Sequence, residues 1–570
     1  MKNYYSLLVG FFLLLNLLIV ESSATIGANG IHDPSTIIKH EGVYHVFGTG
    51  HGGNPEQGVP LVSLIHLTST DLIHWTEVEP VFESGTWPEW INDYVSDFGG
   101  IFWAPDIIFM NGLYHLYYSV SMGDRPCAIG LTTSPDLNNW TDRGMVIYSD
   151  HSSIYGSIDP AVFEDAEGDY WMVFGSHLRG IWITEIDPET GKRPENATLT
   201  NIAGGVNWID YEASYVIYHD GFYYLFFTQG ACCRLMESTY RVYMGRSTNP
   251  KGPYLDKNGL SLLQGGRTLS LETSGRYIGP GHYGLLKEDG RNIISLHYYD
   301  GRSNGYPRLD LVDMEFGEDG WPVVTRDLIP DGKYHIKNVN SGLVWEAQGC
   351  TGGRLQPIVQ NAIREDAPCQ IWELSSVGDG YYKLKNAITA PSFEEQVVDV
   401  PFCDTNNALA TYDWLDNDCQ KFRIMRNASG HYVFSSMVNA DRIISVPQES
   451  VAEGAELFAE RYTGSLAQQW ELIPIEDTGT PIFVKSIMSE DDILVYPNPA
   501  SFEPFFIRMN SGILGEGVVQ IISMDGNVLY NRKHSFADEI MVDAKLSPGV
   551  YLLRLHFNQQ SFVKKLMIAF

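Results

Sequence analysis

At 570 residues the chain is long enough for three or four domains. Its 38 Lys and Arg are outnumbered by 70 Asp and Glu, a formal charge of −32, so no nucleic-acid partner is expected, because that affinity rests on cations that neutralise phosphates. A hydrophobic fraction of 44% excludes wholesale disorder, and 32 Tyr and 26 Phe among 55 Gly predict an all-β chain of short strands and tight turns.

Residues 1–24 read as a secretory signal peptide. Lys2 gives the positive start, Leu7 to Val20 is apolar apart from Gly10 and Asn16, and Ser22-Ser23-Ala24 suits cleavage. The same run approaches the lower limit of a membrane span. No later stretch does, so no membrane span is expected in the mature chain. Export permits disulfides. Of seven Cys, Cys350, Cys369, Cys403 and Cys419 share one region and could pair 350–369 and 403–419; Cys127 and Cys232-Cys233 lie elsewhere. No CxxC pair has zinc-finger spacing.

Residues 25–330 contain one pattern five times. Asp33-Pro34 leads to Gly42 and Tyr44, Ala104-Pro105-Asp106 to Gly112 and Tyr114, and Asp159-Pro160 to Gly168 and Tyr170. Glu212-Ala213 leads to Gly221 and Tyr223, and Gly281-His282 to Gly290. Each copy reads as a hairpin closed by a Gly turn. Successive openings lie 71, 55, 53 and 69 residues apart, room for a four-stranded blade, which predicts a five-bladed β-propeller. The openings Asp33, Ala104, Asp159, Glu212 and Gly281 then share one ring near the axis, and three carboxyl groups converge. Asp-Pro is also a common turn signal, but that does not explain Glu212 falling in register. Buried acids are costly unless paired or shifted in pKa. Converging ones suit glycosidic cleavage: one protonates the leaving oxygen, another activates water, and a third raises the acid's pKa by repulsion.

The blocks His32-Asp33-Pro34-Ser35, Phe102-Trp103-Ala104-Pro105-Asp106, Ser157-Ile158-Asp159-Pro160 and Glu212-Ala213-Ser214-Tyr215 resemble those of glycoside hydrolase family 43. With Cys232-Cys233-Arg234, Ser238-Thr239-Tyr240 and Gly279-Pro280-Gly281-His282, the resemblance is nearest to its endo-1,5-α-L-arabinanases. It implies an inverting hydrolase of internal links in arabinan, a pectic side chain. Carried over by position, Asp33 is the general base, Glu212 the general acid, and Asp159 tunes and orients that acid. His282 corresponds to a histidine beside an axial metal ion, usually calcium, bound mostly through water; no organic cofactor is implied. Trp103 and Phe102 either stack on a sugar or pack in the core. Tyr283 stands where Asn is common, which predicts a narrowed subsite or an altered water shell around the ion. Rivals of the same fold are an exo-acting α-L-arabinofuranosidase and a β-xylosidase; a non-catalytic surface lectin is the rival from another class.

Residues 331–475 repeat differently. Tyr334, Tyr382 and Tyr432 open units 48 and 50 residues apart, which end in Gln370-Ile371-Trp372, Gln420-Lys421-Phe422 and Gln468-Gln469-Trp470. Three such units predict a three-fold barrel and resemble the ricin-type β-trefoil lectin domain. In that family an acid in each unit contacts sugar. The positions here read Glu346, Asp399 and Ser445, so Asp399 is the best binding candidate. Residues 476–490 read as a linker and 491–570 as a small C-terminal β-sandwich of alternating strands. Tyr496-Pro497-Asn498-Pro499, Ser547-Pro548-Gly549-Val550-Tyr551 and Lys564-Lys565 resemble the type A sorting domain of the type IX secretion system. That resemblance implies export by this machinery to the cell surface or the medium.

Overall fold

The computed structural model describes residues 25–52, 61–123, 125–364, 367–388 and 395–475, then 493–496, 498, 505–509, 515–523, 528–536, 539–557 and 560–568. The expected signal peptide, 1–24, and linker, 476–490, lie outside the described residues. The chain divides into two units, Met1–Glu476 and Asp477–Phe570. Among the described residues no helix is long and apolar enough to cross a membrane.

Five sheets open the first unit, antiparallel except where Ile26–Gly27 runs parallel to His74–Glu77 in the first of them. Their first and second strands are Ile38–His40 and Val43–His51, Trp103–Met110 and Leu113–Ser121, Ala161–Glu164 and Tyr170–Phe174, Tyr211–His219 and Phe222–Gln229, and Tyr277–Glu288 and Arg291–Asp300. These are the blades of the predicted propeller. Turn chemistry sets the hairpins. Glu41-Gly42, Asn111-Gly112, Asp220-Gly221 and Asp289-Gly290 each have two successive positive φ values, between 46° and 84°, the two-residue turn whose twist matches a right-twisted hairpin.

Apolar side chains fill the seams between neighbouring blades: Leu64 with Leu116, Tyr117 with Met172, Val173 with Leu225, and Phe226 with Leu296. Val46 and Ile293 fill the seam between the first blade and the last. The ring closes there, where Leu309 N–H also donates to Asn29 O at 2.8 Å.

Six further strands, Gly332–Asn338, Trp372–Gly378, Tyr381–Asn386, Phe422–Arg426, Tyr432–Ser436 and Trp470–Pro474, pair into a closed barrel. Three hairpins complete the units: Val344–Ala347 with Ile358–Asn361, Gln396–Asp399 with Ala410–Asp413, and Asn439–Ser445 with Phe458–Arg461. This is the predicted β-trefoil. The Gln-x-aromatic repeat has a physical basis: Gln370, Gln420 and Gln468 donate to Ala362, Asp413 and Arg461 carbonyls at 2.9, 2.8 and 2.6 Å, while Trp372, Phe422 and Trp470 are fully buried in the barrel. Disulfides join Cys350 to Cys369 and Cys403 to Cys419, as the spacing suggests.

The second unit is a β-sandwich. Ile493–Tyr496, Phe505–Met509 and Glu539–Val542 form one sheet; Val528–Phe536, Gly515–Ser523, Gly549–Phe557 and Gln560–Ile568 form the other. Ile507, Val519, Leu553 and Leu555 bury the alternate positions between them.

Candidate active site

One backbone feature recurs in all five blades. Asp33, Ala104, Asp159, Ala213 and His282 have positive φ, between 43° and 61°, a conformation that costs a non-glycine residue about 1–3 kcal/mol. Hydrogen bonds between blades hold it. The N–H of Asp33 donates to His297 Nδ1 at 3.1 Å, that of Ala104 to Thr49 Oγ1 at 2.8 Å, and that of Asp159 to Ser119 Oγ at 3.0 Å. Each acceptor lies on the second strand of the preceding blade. Ala213 N–H donates to Asp159 Oδ2 at 2.9 Å. The sequence register is corrected here: Ala213 and His282, rather than Glu212 and Gly281, are the equivalents of Asp33 and Asp159. A break in strand pairing between Glu212 and Tyr215 is invisible to spacing.

Asp33 sits in a web of donors. Its Oδ2 accepts from Thr49 Oγ1 at 2.7 Å and faces His32 Nδ1 at 2.7 Å, while Oδ1 faces His282 Nδ1 at 3.4 Å. Burial alone would raise its pKa, but the charge of His32 and the hydrogen bond from His282 hold it well below the carboxylate range. His32 is pushed up to about 10, against burial, by Asp33 and Cys233. His297 Nδ1 also approaches Asp33 Oδ1 at 3.6 Å. That is no ion pair, because burial and the His32 charge keep its ring neutral and Nδ1 accepts the Asp33 N–H.

Glu212 is buried across the cleft. Its Oε2 accepts from Ser176 Oγ at 2.6 Å and lies 3.4 Å from His177 Nδ1, and Tyr240 donates to Oε1. Asp159 is pushed up to about 7, first by burial and next by the charge on Glu212; the charges of His282 and Asp33 reach it too. The three predicted carboxyl groups and His282 therefore meet. Sequence reading missed Asp106, which is buried, accepts the Thr36 N–H at 2.9 Å, and is raised to about 6, chiefly by burial. It also missed Ser176, His177 and Tyr240.

Two expectations are corrected. Phe102 is 0% exposed and packs on Phe82, Phe98 and Tyr118, so it belongs to the core and touches no sugar. Trp103, next along the chain, is half-buried. Tyr283 is buried against Phe226 in the seam of the fourth and fifth blades, so its ring narrows no subsite.

Compared with known proteins, residues 25–322 match glycosyl hydrolases family 43. The chain belongs to that family. The family 43 domain is 37% identical over 295 residues to the extracellular endo-α-(1→5)-L-arabinanase 1 of Bacillus subtilis, spanning 51% of this chain and 87% of the relative. It is 33% identical over 313 residues to the extracellular exo-α-(1→5)-L-arabinofuranosidase ArbA of Cellvibrio japonicus, spanning 52% and 86%. With the arabinan endo-1,5-α-L-arabinosidase A of Aspergillus niger it shares 30% identity over 329 residues, spanning 53% and 94%. Behind it, residues 320–409 match a ricin-type β-trefoil lectin domain-like family and 494–569 a secretion system C-terminal sorting domain. The protein is thus a glycoside hydrolase exported by the type IX route, secreted or held at the cell surface.

The surroundings of His282 fit the cation that the family 43 resemblance implies. Asp33, Asp159 and Asp106 all act on its ring, which supplies negative charge for a hard ion. His297 Nε2, within reach of the His282 charge, is buried without a partner, and a water shell would give it one. Among the described residues His32, Asp33 and His297 form a donor set here, with ligand atoms within 4.8 Å of one another. His282 is outside that set, so water must complete any coordination at His282.

In the trefoil, Glu346 is taken by Arg364 at 2.5 Å and Gln370 at 2.8 Å, and Ser445 bonds Glu460 at 2.7 Å. Asp399 is buried with Gln420 as its partner, and burial raises its pKa. Phe402, three residues on, has φ 60° and is 87% exposed. The other units carry Gly349 and Gln448 at the matching turn position.

Proposed function

We propose that this protein is an inverting arabinanase that cleaves internal α-1,5 links. The reading rests on one contrast: Asp33 is held ionised, while Asp159 beside Glu212 keeps a proton to about pH 7. An ionised carboxylate opposite a protonated acid is what glycosidic cleavage requires, and inversion is what the family 43 resemblance implies. Asp33 takes a proton from the water that attacks the anomeric carbon, and Glu212 gives one to the leaving oxygen. Asp159, whose own pKa is raised by burial and by the charge on Glu212, tunes and orients that acid. The Bacillus and Aspergillus relatives support endo action; the exo name of the Cellvibrio relative dictates the test. Linear debranched arabinan is expected to lose viscosity early and yield a ladder of oligosaccharides, with proton NMR showing the inverted anomer first. Monosaccharide alone at unchanged viscosity would favour the exo enzyme, and binding without turnover the lectin.

Below about pH 7 Asp159, beside Glu212, holds a proton, so the acid keeps a neutral neighbour for its step. kcat/KM is therefore expected to fall as pH rises through about 7. A profile flat well above neutrality would remove Asp159 from the acid step.

The proposal includes calcium beside His282, which would supply fixed positive charge at the propeller axis. Chelation is expected to lower Tm, with about 2.7 kcal/mol at stake if the ion was at about 100 times its Kd. A Tm indifferent to chelator, in protein free of metal by elemental analysis, would exclude the ion.

Trp103, half-buried, is proposed to stack on a sugar ring, and the trefoil is proposed to hold polymer at Asp399 and Phe402. Phe402→Ala is expected to weaken retention on insoluble arabinan about tenfold, the loss of about 1.4 kcal/mol. Unchanged retention would leave that trefoil unit without a sugar site.

A further inference from the structure

Four of the seven cysteines close the trefoil disulfides, and Cys127 is buried against Ser149 Oγ at 3.1 Å. Cys232 and Cys233 are left, neighbours in sequence. Their Sγ atoms are 2.6 Å apart; Cys232 is partly and Cys233 well exposed.

The loop after Phe222–Gln229 carries the pair into the catalytic cleft. Cys233 has φ 61°, and its N–H donates to Tyr299 Oη at 2.7 Å. The same hydroxyl meets His32 Nε2 at 2.7 Å, and Cys233 Sγ lies 3.7 Å from that nitrogen. His32 holds Asp33 through its other nitrogen. The charges of both Glu212 and Asp33 reach Cys232. The pair therefore reaches the proposed base through His32 and lies within electrostatic range of the proposed acid.

We propose that Cys232 and Cys233 form a reversible vicinal disulfide in the exported protein, and that this ring is a wall of the sugar cleft whose opening weakens substrate binding. The second half rests on the arabinanase reading above.

The chemistry needs an external disulfide, protein-borne or small, as oxidant. Cys233 thiolate attacks one of its sulfurs, forming a mixed disulfide and expelling one thiolate. Cys232 gives its proton to solvent and attacks Cys233 Sγ, forming the internal S–S bond and expelling the second. Two electrons and two protons leave the protein, and the oxidant departs as two thiols. Cys233 suits the first attack: it is the more exposed of the two thiols and its Sγ lies 3.7 Å from His32 Nε2, and the thiolate is the reactive form. Oxidising conditions outside the cell favour the closed ring. Closed, the ring offers uncharged sulfur to a neutral sugar. Open, it offers two separate thiols whose polar S–H groups substrate must desolvate.

Full-length protein taken from the medium, acid-quenched, alkylated and digested with trypsin gives a peptide ending at Arg234 that holds these two cysteines and no other. That peptide is expected to be unalkylated and two hydrogens lighter than its dithiol form; two alkylated cysteines would overturn the proposal. On linear arabinan, a phosphine reductant is expected to raise KM about tenfold with kcat less affected, and oxidised glutathione to reverse this. The double variant Cys232→Ser with Cys233→Ser keeps both trefoil disulfides. It is expected not to respond to the phosphine, and an equal response would move the effect to the trefoil and overturn the coupling. Active protein with open thiols would sink this proposal alone. An oxidised peptide in protein that hydrolyses no arabinan in either state would sink the arabinanase reading and the coupling with it.

Discussion

Glu212→Gln is expected to cut turnover of arabinan by about 10²–10⁴-fold, the usual contribution of a positioned acid or base. The same variant should keep much of its rate on an aryl arabinofuranoside, whose leaving group departs without a proton. Gln preserves the shape of the site, since Ser176 and Tyr240 can re-orient their hydroxyl protons around an amide. Asp33→Asn should lose comparably on both substrates, because both need water activated. Its amide nitrogen would also face donors, with Thr49 and His32 each at 2.7 Å. KM should change little in either variant. The contrast between substrates decides the roles: equal losses in Glu212→Gln would strip it of the acid step, and an Asp33→Asn defect cured by the better leaving group would reverse the two.

The five blades are readable in the sequence because each hairpin turn needs Gly at a positive φ, and Gly42, Gly112, Gly168, Gly221 and Gly290 mark it. Trefoil units are readable for a similar reason, since one Gln must bracket each hairpin. The site is less legible. Glu212 reaches the cleft through a local break in pairing, and a spacing rule that lines it up with Asp33 lands on the right residue by the wrong register. Phe102 shows the converse. Adjacency along the chain to Trp103 and Ala104 says nothing about which side of a strand faces solvent, and its ring faces Phe82. The histidines around Asp33 come from opposite ends of the propeller, His32 from its start and His282 and His297 from the fifth blade. Only ring closure brings them together. Asp106 has no signal beyond its place two residues after Ala104. The change of repeat near residue 330 separates propeller from trefoil, but it carries no sign of the charged side chains buried between them.

That buried contact makes Asp310→Ala the second large effect, a destabilisation of the first unit by about 3–5 kcal/mol. Asp310 lies on Tyr306–Phe316 of the fifth blade and is fully buried. Its Oδ2 accepts from Arg326 Nε at 2.7 Å, and its Oδ1 from Arg423 Nη2 of the trefoil barrel at 2.9 Å. Burial and the neighbouring Arg276 push Arg423 down to about 9, so Asp310 is the counter-charge that keeps it tolerable. Arg276 is itself occupied by Asp300 at 2.9 Å. Removing Asp310 leaves two guanidinium groups buried without an anion, and the penalty comes from those stranded charges more than from the lost bonds. Asp310→Asn keeps the volume and one acceptor and should lose less. Asp310→Leu with Arg423→Met, which removes the charge on both sides of the contact, should recover part of the loss. Denaturant unfolding at constant m reports the difference. A shift below about 1 kcal/mol, the range of exposed pairs, would mean that solvent reaches the contact and that apolar packing, not this carboxylate, ties the trefoil to the propeller.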